Sequence, residues 1–588
     1  MPVHIRPRLT LLVLLLAPLA LLLLWRLLDV QAVHGAAYRQ QAVQERIRNL
    51  ALPEPPRGSI SDDNGFPLAV SEPHYTIWAS PAYITDIRRV AEILSPVLQI
   101  PAGTLSATMA ETSQGVILAP YVSWEQGEAV KKLKLSGVWA SLCWLRRYPH
   151  GALAAPLLGF TAYSGEGFYG VEGYYDRALR PQTVKVVTEA DPSGIQPLPQ
   201  EEGRIPIPQR GHHLVLTLDL AMQMAAEEEL ARGLKEFGAE SGLVLVMDSR
   251  TGAILALAVQ PSFDPNEYQR YLNEGREEVF LNPAVNTQYE PGSIFKIITL
   301  AGALDSGAVS PQYTYVDTGR IEVGGQVITN WDNRAYGEQD LVGLMGHSLN
   351  VGAAWLATRM GPETFYRYVR AFGFGQPTGV DLQGEVAGTV HMPGDLDWYD
   401  SYLGTNAYGQ AIAVTPMQMA AAVAAVANGG RLMRPYVVAR QIRPDGSVLE
   451  SRPVVRGQPI TPETARAVSE ILAQAVEQYM PQAAVPGYRI AGKTGTAQIP
   501  VPGGYDPRGT IASFVGYGPV EDPRLLILVR LDRPRTSPWA SQTAVVIFQR
   551  LAQRLLVLAT NEHEFHELCW FWPRMNTNFT NCVGFGHE

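Results

Sequence analysis

The sequence predicts an α+β protein: a single N-terminal membrane-spanning helix, an elongated module, then a larger domain with helices packed on an antiparallel sheet. Three observations carry this. Leu9–Trp25 is an uncharged, leucine-rich run, with Arg6 and Arg8 before it and Arg26 after it. Ser241–Met247 and Ala253–Val259 are apolar runs around Asp248-Ser249-Arg250-Thr251-Gly252, the pattern of a hairpin. Beyond them, helical patterns such as Met417–Ala427 alternate with strands such as Leu525–Leu531 to about residue 555. A hairpin followed by helices and further strands argues for an antiparallel sheet with helices on it.

Taken in order, residues 1–7 are a basic tail expected in the cytoplasm. Residues 8–28 are the anchor, because a spanning helix needs about 17–25 apolar residues and tolerates Pro18. A cleaved signal peptide would have an apolar region of only about 7–15 residues ending at small residues. Here the first small cluster, Gly35-Ala36-Ala37, lies well past the run. Everything after about residue 30 is therefore expected outside the cytoplasm. Residues 29–56 read as a stalk, polar and helix-prone around Tyr38–Gln44 and stopped by Pro53 and Pro55-Pro56. Residues 57–208 mix strand-like Tyr75–Ala79 with helical Ile87–Leu98 and close on a segment rich in proline and charge, Pro192–Pro208. Residues 209–559 are the large domain, entered through a strand, Leu214–Leu218, and a helix, Ala221–Phe237. Residues 560–588 are a tail with His563, His566, Cys569, Cys582 and His587. A metal site on H-x-x-H-x-x-C, a Cys569–Cys582 disulfide and a plain extension are all open there.

Composition removes other classes. A chain of 588 residues exceeds one hydrophobic core. Its 46% hydrophobic and 18% charged content is that of a folded protein, not a disordered one. A net charge of −9 leaves no basic excess for nucleic acid. Three cysteines are too few for a disulfide framework or a thiolate metal protein.

Chemistry is carried by three motifs in fixed order. In Pro291-Gly292-Ser293-Ile294-Phe295-Lys296 a turn leads into a helix starting at about Ser293. Residues i and i+3 share a helical face, so Ser293 and Lys296 can meet. A serine hydroxyl needs a base to become a nucleophile, and a buried lysine can be one. In Ser348-Leu349-Asn350, a hydroxyl and an amide two residues apart can point from a turn into a cleft, to relay a proton and hold an amide. In Lys493-Thr494-Gly495-Thr496, a strand alternates a cation and a bare backbone, and Gly495 lets a substrate approach. Thr494 and Thr496 fall on the opposite face, so a local twist is needed for all four to serve one ligand. Each motif alone is common by chance; their joint occurrence in one domain is specific. No G-x-S-x-G elbow or H-E-x-x-H helix offers another hydrolytic centre.

This S-x-x-K, S-x-N, K-T-G set resembles that of penicillin-binding proteins and serine β-lactamases. Further segments resemble the class B, transpeptidase-only branch. They are Arg57-Gly58-Ser59-Ile60-Ser61-Asp62-Asp63-Asn64-Gly65, Gly170-Val171-Glu172-Gly173-Tyr174-Tyr175-Asp176, Leu216-Thr217-Leu218-Asp219 with Gln223, and Thr415-Pro416-Met417-Gln418. Asp63 stands where that family has arginine. Ser348-Leu349-Asn350-Val351-Gly352 and Tyr408-Gly409-Gln410 look more like the division-type than the elongation-type branch, although Leu349 and Ala411 depart from it.

The resemblance implies that 57–208 is the family's dimerisation or pedestal domain and 209–559 its transpeptidase domain. It implies cross-linking of peptidoglycan stem peptides during septal wall synthesis, binding of β-lactam antibiotics, and no cofactor or metal. Lys296 would deprotonate Ser293 for attack on the penultimate D-alanine carbonyl. The backbone N–H groups of Ser293 and Thr496 would hold the oxyanion. Ser348, with Lys493, would protonate the departing D-alanine. Thr494, Gly495 and Thr496 would seat the terminal carboxylate, and Asn350 the peptide. The implied partners are a multi-spanning membrane glycosyltransferase and other division or elongation proteins. An elongation-type transpeptidase, a carboxypeptidase or β-lactamase, and a non-catalytic β-lactam-binding scaffold remain open.

Overall fold

The computed structural model describes residues 5–34, 47–51, 55–112, 115–182, 185–190, 197–198 and 209–560. The tail with its two cysteines and three histidines, the helix-prone Tyr38–Gln44 and most of Pro192–Pro208 lie outside these. The apolar run falls in a helix, Ile5–Leu28, with Pro18 inside it. Among the residues described with side chains, which begin at Leu16 here, no helix is long and apolar enough to cross a membrane.

The chain divides into two compact units. The smaller comprises residues 1–56, 75–143 and 181–210. The later part of the strand Pro67–Ala79 pairs with Val116–Val122 and with Val138–Arg147. Three helices, Ile87–Leu98, Ala102–Ala110 and Trp124–Leu133, belong to the same unit. Ile87–Leu98 forms where the spacing predicts it. Asp86 caps its first turn, and Ala91, Leu94 and Leu98, at helical spacing, turn into a core with Ile77, Met109, Leu118 and Val130. Ile47–Ala51 departs from expectation. It is not part of a helical stalk but a strand, antiparallel to Lys185–Ala190, so pairing with a distant segment overrides local helix propensity.

The larger unit comprises residues 57–74, 144–180 and 211–588. The predicted hairpin is present as Ser241–Asp248 and Ile254–Gln260. It forms one side of a five-stranded sheet in the order Ile254–Gln260, Ser241–Asp248, Leu525–Asp532, Gly504–Gly518, Ala491–Val501. Every pairing in it is antiparallel. Strand alternation gives the sheet two faces. Val244, Val246, Phe514, Ile527 and Val529 face helices Leu220–Phe237 and Ala544–Thr560. Leu243, Leu245, Val515, Leu526 and Leu528 join the main core, which takes in helices Lys296–Asp305, Pro416–Ala427 and Pro462–Tyr479. Pro416–Ala427 is buried along its whole length, and Thr415 and Gln418 close a capping box at its start.

Two of the segments singled out in the sequence are joined directly. Arg57 Nε and Arg146 Nε each donate to Glu172, at 2.8 and 2.7 Å, and Arg57 Nη1 donates to Asp176 at 2.8 Å. Burial penalises the charge on Glu172, but the two arginines outweigh it and hold the carboxyl below the usual range. Asp63, the departure from the family pattern, pairs with Arg440 at 3.3 Å on the exposed surface.

Candidate active site

The three motifs converge. Gly292–Phe295 is a single 3₁₀ turn, and the α-helix begins only at Lys296. The nucleophile candidate therefore sits ahead of the helix rather than in its first turn. In a 3₁₀ turn residues i and i+3 eclipse, so Ser293 and Lys296 keep the shared face that the S-x-x-K spacing predicts. Tyr408-Gly409-Gln410 backs this turn. Gly292 N–H donates to the Gly409 carbonyl at 3.0 Å. A Cβ on Gly409 would lie 2.2 Å from the Gly292 oxygen, so only glycine fits. Thr299 Oγ1 donates to the Ala407 carbonyl at 2.7 Å and fixes the helix to the same segment.

Ser348 ends the helix Leu341–His347 in the left-handed region, φ 58°, and Asn350 opens the next helix, Asn350–Met360. A non-glycine residue held there is strained by about 1–3 kcal/mol and persists only where its surroundings fix it. The result is a sharp turn that aims both the carbonyl and the hydroxyl of Ser348 at Lys296. Lys296 Nζ donates to Ser348 O at 2.6 Å and to Asn350 Oδ1 at 2.8 Å, and lies 3.3 Å from Ser348 Oγ. Lys493 Nζ approaches the same hydroxyl from the sheet at 2.9 Å and donates to Thr494 O at 3.2 Å. Ser348 is the meeting point of both lysines. The Ser293 hydroxyl has no hydrogen-bond partner among the described residues and is half-buried.

Lys493–Thr496 lies on the edge strand Ala491–Val501, with Lys493 and Gly495 buried and Thr494 and Thr496 half-buried. The alternation is as predicted, but the reason for Gly495 differs. A Cβ there would lie 2.6 Å from Ser513 Oγ and 2.9 Å from the Pro291 carbonyl. The space belongs to the nucleophile turn itself, so the glycine lets that turn dock on the strand. Thr496 Oγ1 accepts from Ala540 N–H at 3.3 Å.

Both lysines are fully buried, and neither has an ion pair with a carboxylate among the described residues. Burial pulls Lys493 down to about 7. Burial, with the like charge of Lys493, pulls Lys296 well below its ordinary value. Two adjacent ammonium groups in a dry site disfavour each other, so Lys296 is the one held neutral. A neutral amine has two N–H donors and one lone pair. The two carbonyl-type acceptors, Ser348 O and Asn350 Oδ1, take up the two donors and leave the lone pair for a hydroxyl proton.

Residues 242–553 match the penicillin-binding protein transpeptidase domain, and residues 53–216 match the penicillin-binding protein dimerisation domain. The chain belongs to the class B penicillin-binding proteins. It is 33% identical to stage V sporulation protein D of Bacillus subtilis over 87% of this chain and 79% of that one. It is 28% identical to a peptidoglycan D,D-transpeptidase FtsI homolog of Mesostigma viride, over 91% and 93%. Among solved structures it is similar to penicillin-binding protein 3 of Mycobacterium tuberculosis complexed with aztreonam. That similarity has a TM-score of 0.66 and 27% identity, covering 87% of this chain and 97% of that one.

This penicillin-binding protein also has supporting residues that no sequence motif marks. Thr329-Asn330-Trp331 straps the serine turn. Thr329 O accepts from Asn350 Nδ2 at 3.2 Å, Asn330 Oδ1 from Val351 N–H at 3.2 Å, and Trp331 Nε1 donates to His347 O at 3.1 Å. Because Asn350 Nδ2 is engaged there, its Oδ1 must face Lys296. Asn330 Nδ2 is held in turn by buried Asp317 at 2.9 Å. Trp331 meets Trp539 edge-on, with ring centroids 5.0 Å apart. Trp539 directly precedes the Ala540 that bonds Thr496, so the pair touches both sides of the site.

Proposed function

We propose that this protein is a septal-type peptidoglycan D,D-transpeptidase, working through an acyl-enzyme on Ser293. The observation that carries the reading is the convergence of two buried, charge-disfavoured lysines on one serine hydroxyl beside the nucleophile turn. Lys296, neutral, takes the Ser293 proton as the hydroxyl attacks the penultimate D-alanine carbonyl of a stem peptide. Lys493 passes a proton through Ser348 to the departing D-alanine. The Ser293 and Thr496 N–H groups receive the oxyanion. Thr494 and Thr496 seat the terminal carboxylate, and Asn350 the peptide. An amine from a neighbouring strand then takes the acyl group and forms the cross-link.

The reading extends to the whole chain. Leu9–Trp25, flanked by Arg6, Arg8 and Arg26, is the anchor, and the chain after about residue 30 lies outside the cytoplasm. A membrane-embedded glycosyltransferase supplies the glycan strand and meets the anchor and the unit near it. Relatives named as FtsI homologs favour the septal over the elongation role. A labelled penicillin should acylate the protein at Ser293, with a long-lived adduct located by peptide mass mapping; an adduct on another serine overturns the mechanism. Fluorescent fusions should gather at mid-cell, and patches along the side wall would instead indicate elongation.

A further inference from the structure

The segment that leads into the nucleophile turn runs antiparallel to the segment that backs it, but the two are unequal in length. Tyr289 and Val414 exchange backbone hydrogen bonds, both of 2.9 Å, and Gly292 N–H donates to the Gly409 carbonyl at 3.0 Å. Between these two ties, one side has only Glu290 and Pro291, whereas the other has residues 410–413. The surplus is taken up as a bulge, which leaves extra residues without backbone partners across the pair. Pro291 has no N–H to offer, and its carbonyl lies against Gly495 on the edge strand.

Ala411 is where the bulge bends. It stands in the left-handed region, φ 56°, and a non-glycine residue there persists only where its surroundings fix it. The fixing group is a side chain. Glu290 Oε1 accepts from Ala411 N–H at 3.0 Å. The Tyr505 hydroxyl donates to the same carboxylate, 3.1 Å from each oxygen. Glu290 is buried, burial disfavours its charge, and these two donors oppose that effect. One carboxylate thus joins the nucleophile segment, the backing segment and the hairpin of Ala491–Val501 with Gly504–Gly518. The three meet around a cavity of about 650 Å³ whose lining includes Glu290, Ala411, Ile412, Ile499 and Pro500. Elements that border a hollow are not spaced there by close packing, so the hydrogen bonds of Glu290 carry that task.

The consequence reaches the nucleophile. Gly409 is two residues before Ala411, and it holds Gly292, the neighbour of Ser293. A bulge that relaxed would move the Gly409 carbonyl and loosen the turn that rests on it. We propose that Glu290 is a positioning residue for acyl transfer: its carboxylate holds the Ala411 bulge and, through Gly409, sets where the nucleophile turn stands beside Lys296. The inference rests on the transpeptidase reading and gives Glu290 no contact with the substrate.

The test is stopped-flow labelling with a fluorescent penicillin, resolved into the Kd of the first complex and the rate constant of acylation. Glu290→Met keeps the volume and removes both oxygens. It should lower the acylation rate constant by about 10–100-fold, the scale of a displaced reacting group, and change Kd by no more than about twofold. Glu290→Gln, which keeps an oxygen for Ala411 N–H, should recover most of the rate. Ala411→Gly removes the left-handed strain. In that background Glu290→Met should slow acylation by less than about threefold, a coupling between the two positions that a general loss of stability would not produce. Should the methionine variant fail to fold, Glu290→Asp, which keeps the charge but shortens the reach, gives the same comparison. Acylation at the wild-type rate in the folded variant overturns the proposal, as do equal losses in the two backgrounds. Tyr505→Phe should have little effect; a loss as large as that of Glu290→Met would place the role in the hairpin and overturn the bulge. Penicillin labelling of wild-type Ser293 separates the two failures: an unlabelled protein sinks the transpeptidase reading, whereas a labelled protein indifferent to Glu290 sinks only the positioning role.

Discussion

Replacing Lys493 with methionine should abolish function and stabilise the fold at neutral pH. Lys493 is fully buried, and burial lowers it from 10.5 to about 7. One unit is worth about 1.4 kcal/mol, so at pH 7 the amine costs the folded state roughly 4 kcal/mol relative to a group that needs no deprotonation. Methionine of similar length keeps the packing. It loses the contacts to Ser348 Oγ and Thr494 O, about 1–2 kcal/mol together. The net gain is about 2–3 kcal/mol, or a few degrees in Tm for a unit of this size. Because the folded value lies below the unfolded one, the unfolded chain binds more protons between about pH 7 and pH 10.5. Wild-type stability therefore rises with pH across that window. The variant lacks this rise, so its advantage should shrink with pH and reverse near pH 10.5, where only the lost contacts remain. Calorimetry of both proteins at pH 7 and pH 10, with labelled penicillin as the activity readout, checks each limb. A variant less stable than wild type at pH 7, with no pH-dependent crossover, would refute the view that Lys493 is held against its charge.

Lys296→Arg should lower penicillin acylation by about 10²–10⁴-fold, the worth of general-base catalysis, since a guanidinium does not deprotonate; acylation at the wild-type rate in stopped-flow labelling would assign the base elsewhere. Asn330→Ala should slow acylation by about tenfold while leaving the labelled residue unchanged, because the strap that turns Asn350 Oδ1 toward Lys296 is lost; an unchanged rate with a lower Tm would make Asn330 purely structural. Glu172→Gln should cost about 3–5 kcal/mol by leaving Arg146 without a carboxylate partner and Arg57 with Asp176 alone. Wild-type stability should also fall as acid protonates Glu172 through its lowered folded value, and an acid melting series should find that loss missing from the variant.

Elements whose signal is local were legible in the sequence. Ile87–Leu98 has its cap and its apolar stripe within one dozen residues, and the hairpin around Asp248–Gly252 is written in adjacent residues. The three motifs that converge were legible too, because they are marked by residue type. What escaped was whatever acts through the backbone or across distance. Thr329 O and Ala540 N–H would serve with almost any side chain, so no residue type betrays them. The left-handed Ser348 has no glycine to announce it. Ile47–Ala51 forms a strand only because Lys185–Ala190 lies beside it. Gly495 was marked as room for a substrate, whereas the fold brings Pro291 O and Ser513 Oγ against it.

Acyl transfer needs a base and an acid in the same step, and the proposed site obtains both from two lysines that differ only in surroundings. Lys296 faces two carbonyl-type oxygens and a second buried amine, which favours its neutral form; Lys493 titrates near neutrality and touches the relay hydroxyl. Near neutral pH, then, the proton that the pair can hold rests on Lys493. In the proposed mechanism, attack by Ser293 delivers a proton to Lys296, while the departing amine draws one from Lys493 through Ser348. The pair ends the half-reaction with its proton on the other lysine and its total charge unchanged. The second half-reaction is the same exchange in reverse, with an incoming amine giving up the proton that the outgoing one took. A site built this way requires no carboxylate base for transfer between amines, because the nucleophile of each half-reaction resembles the leaving group of the other. On this reasoning the shared Ser348 hydroxyl, more than either lysine alone, makes one set of residues serve both directions.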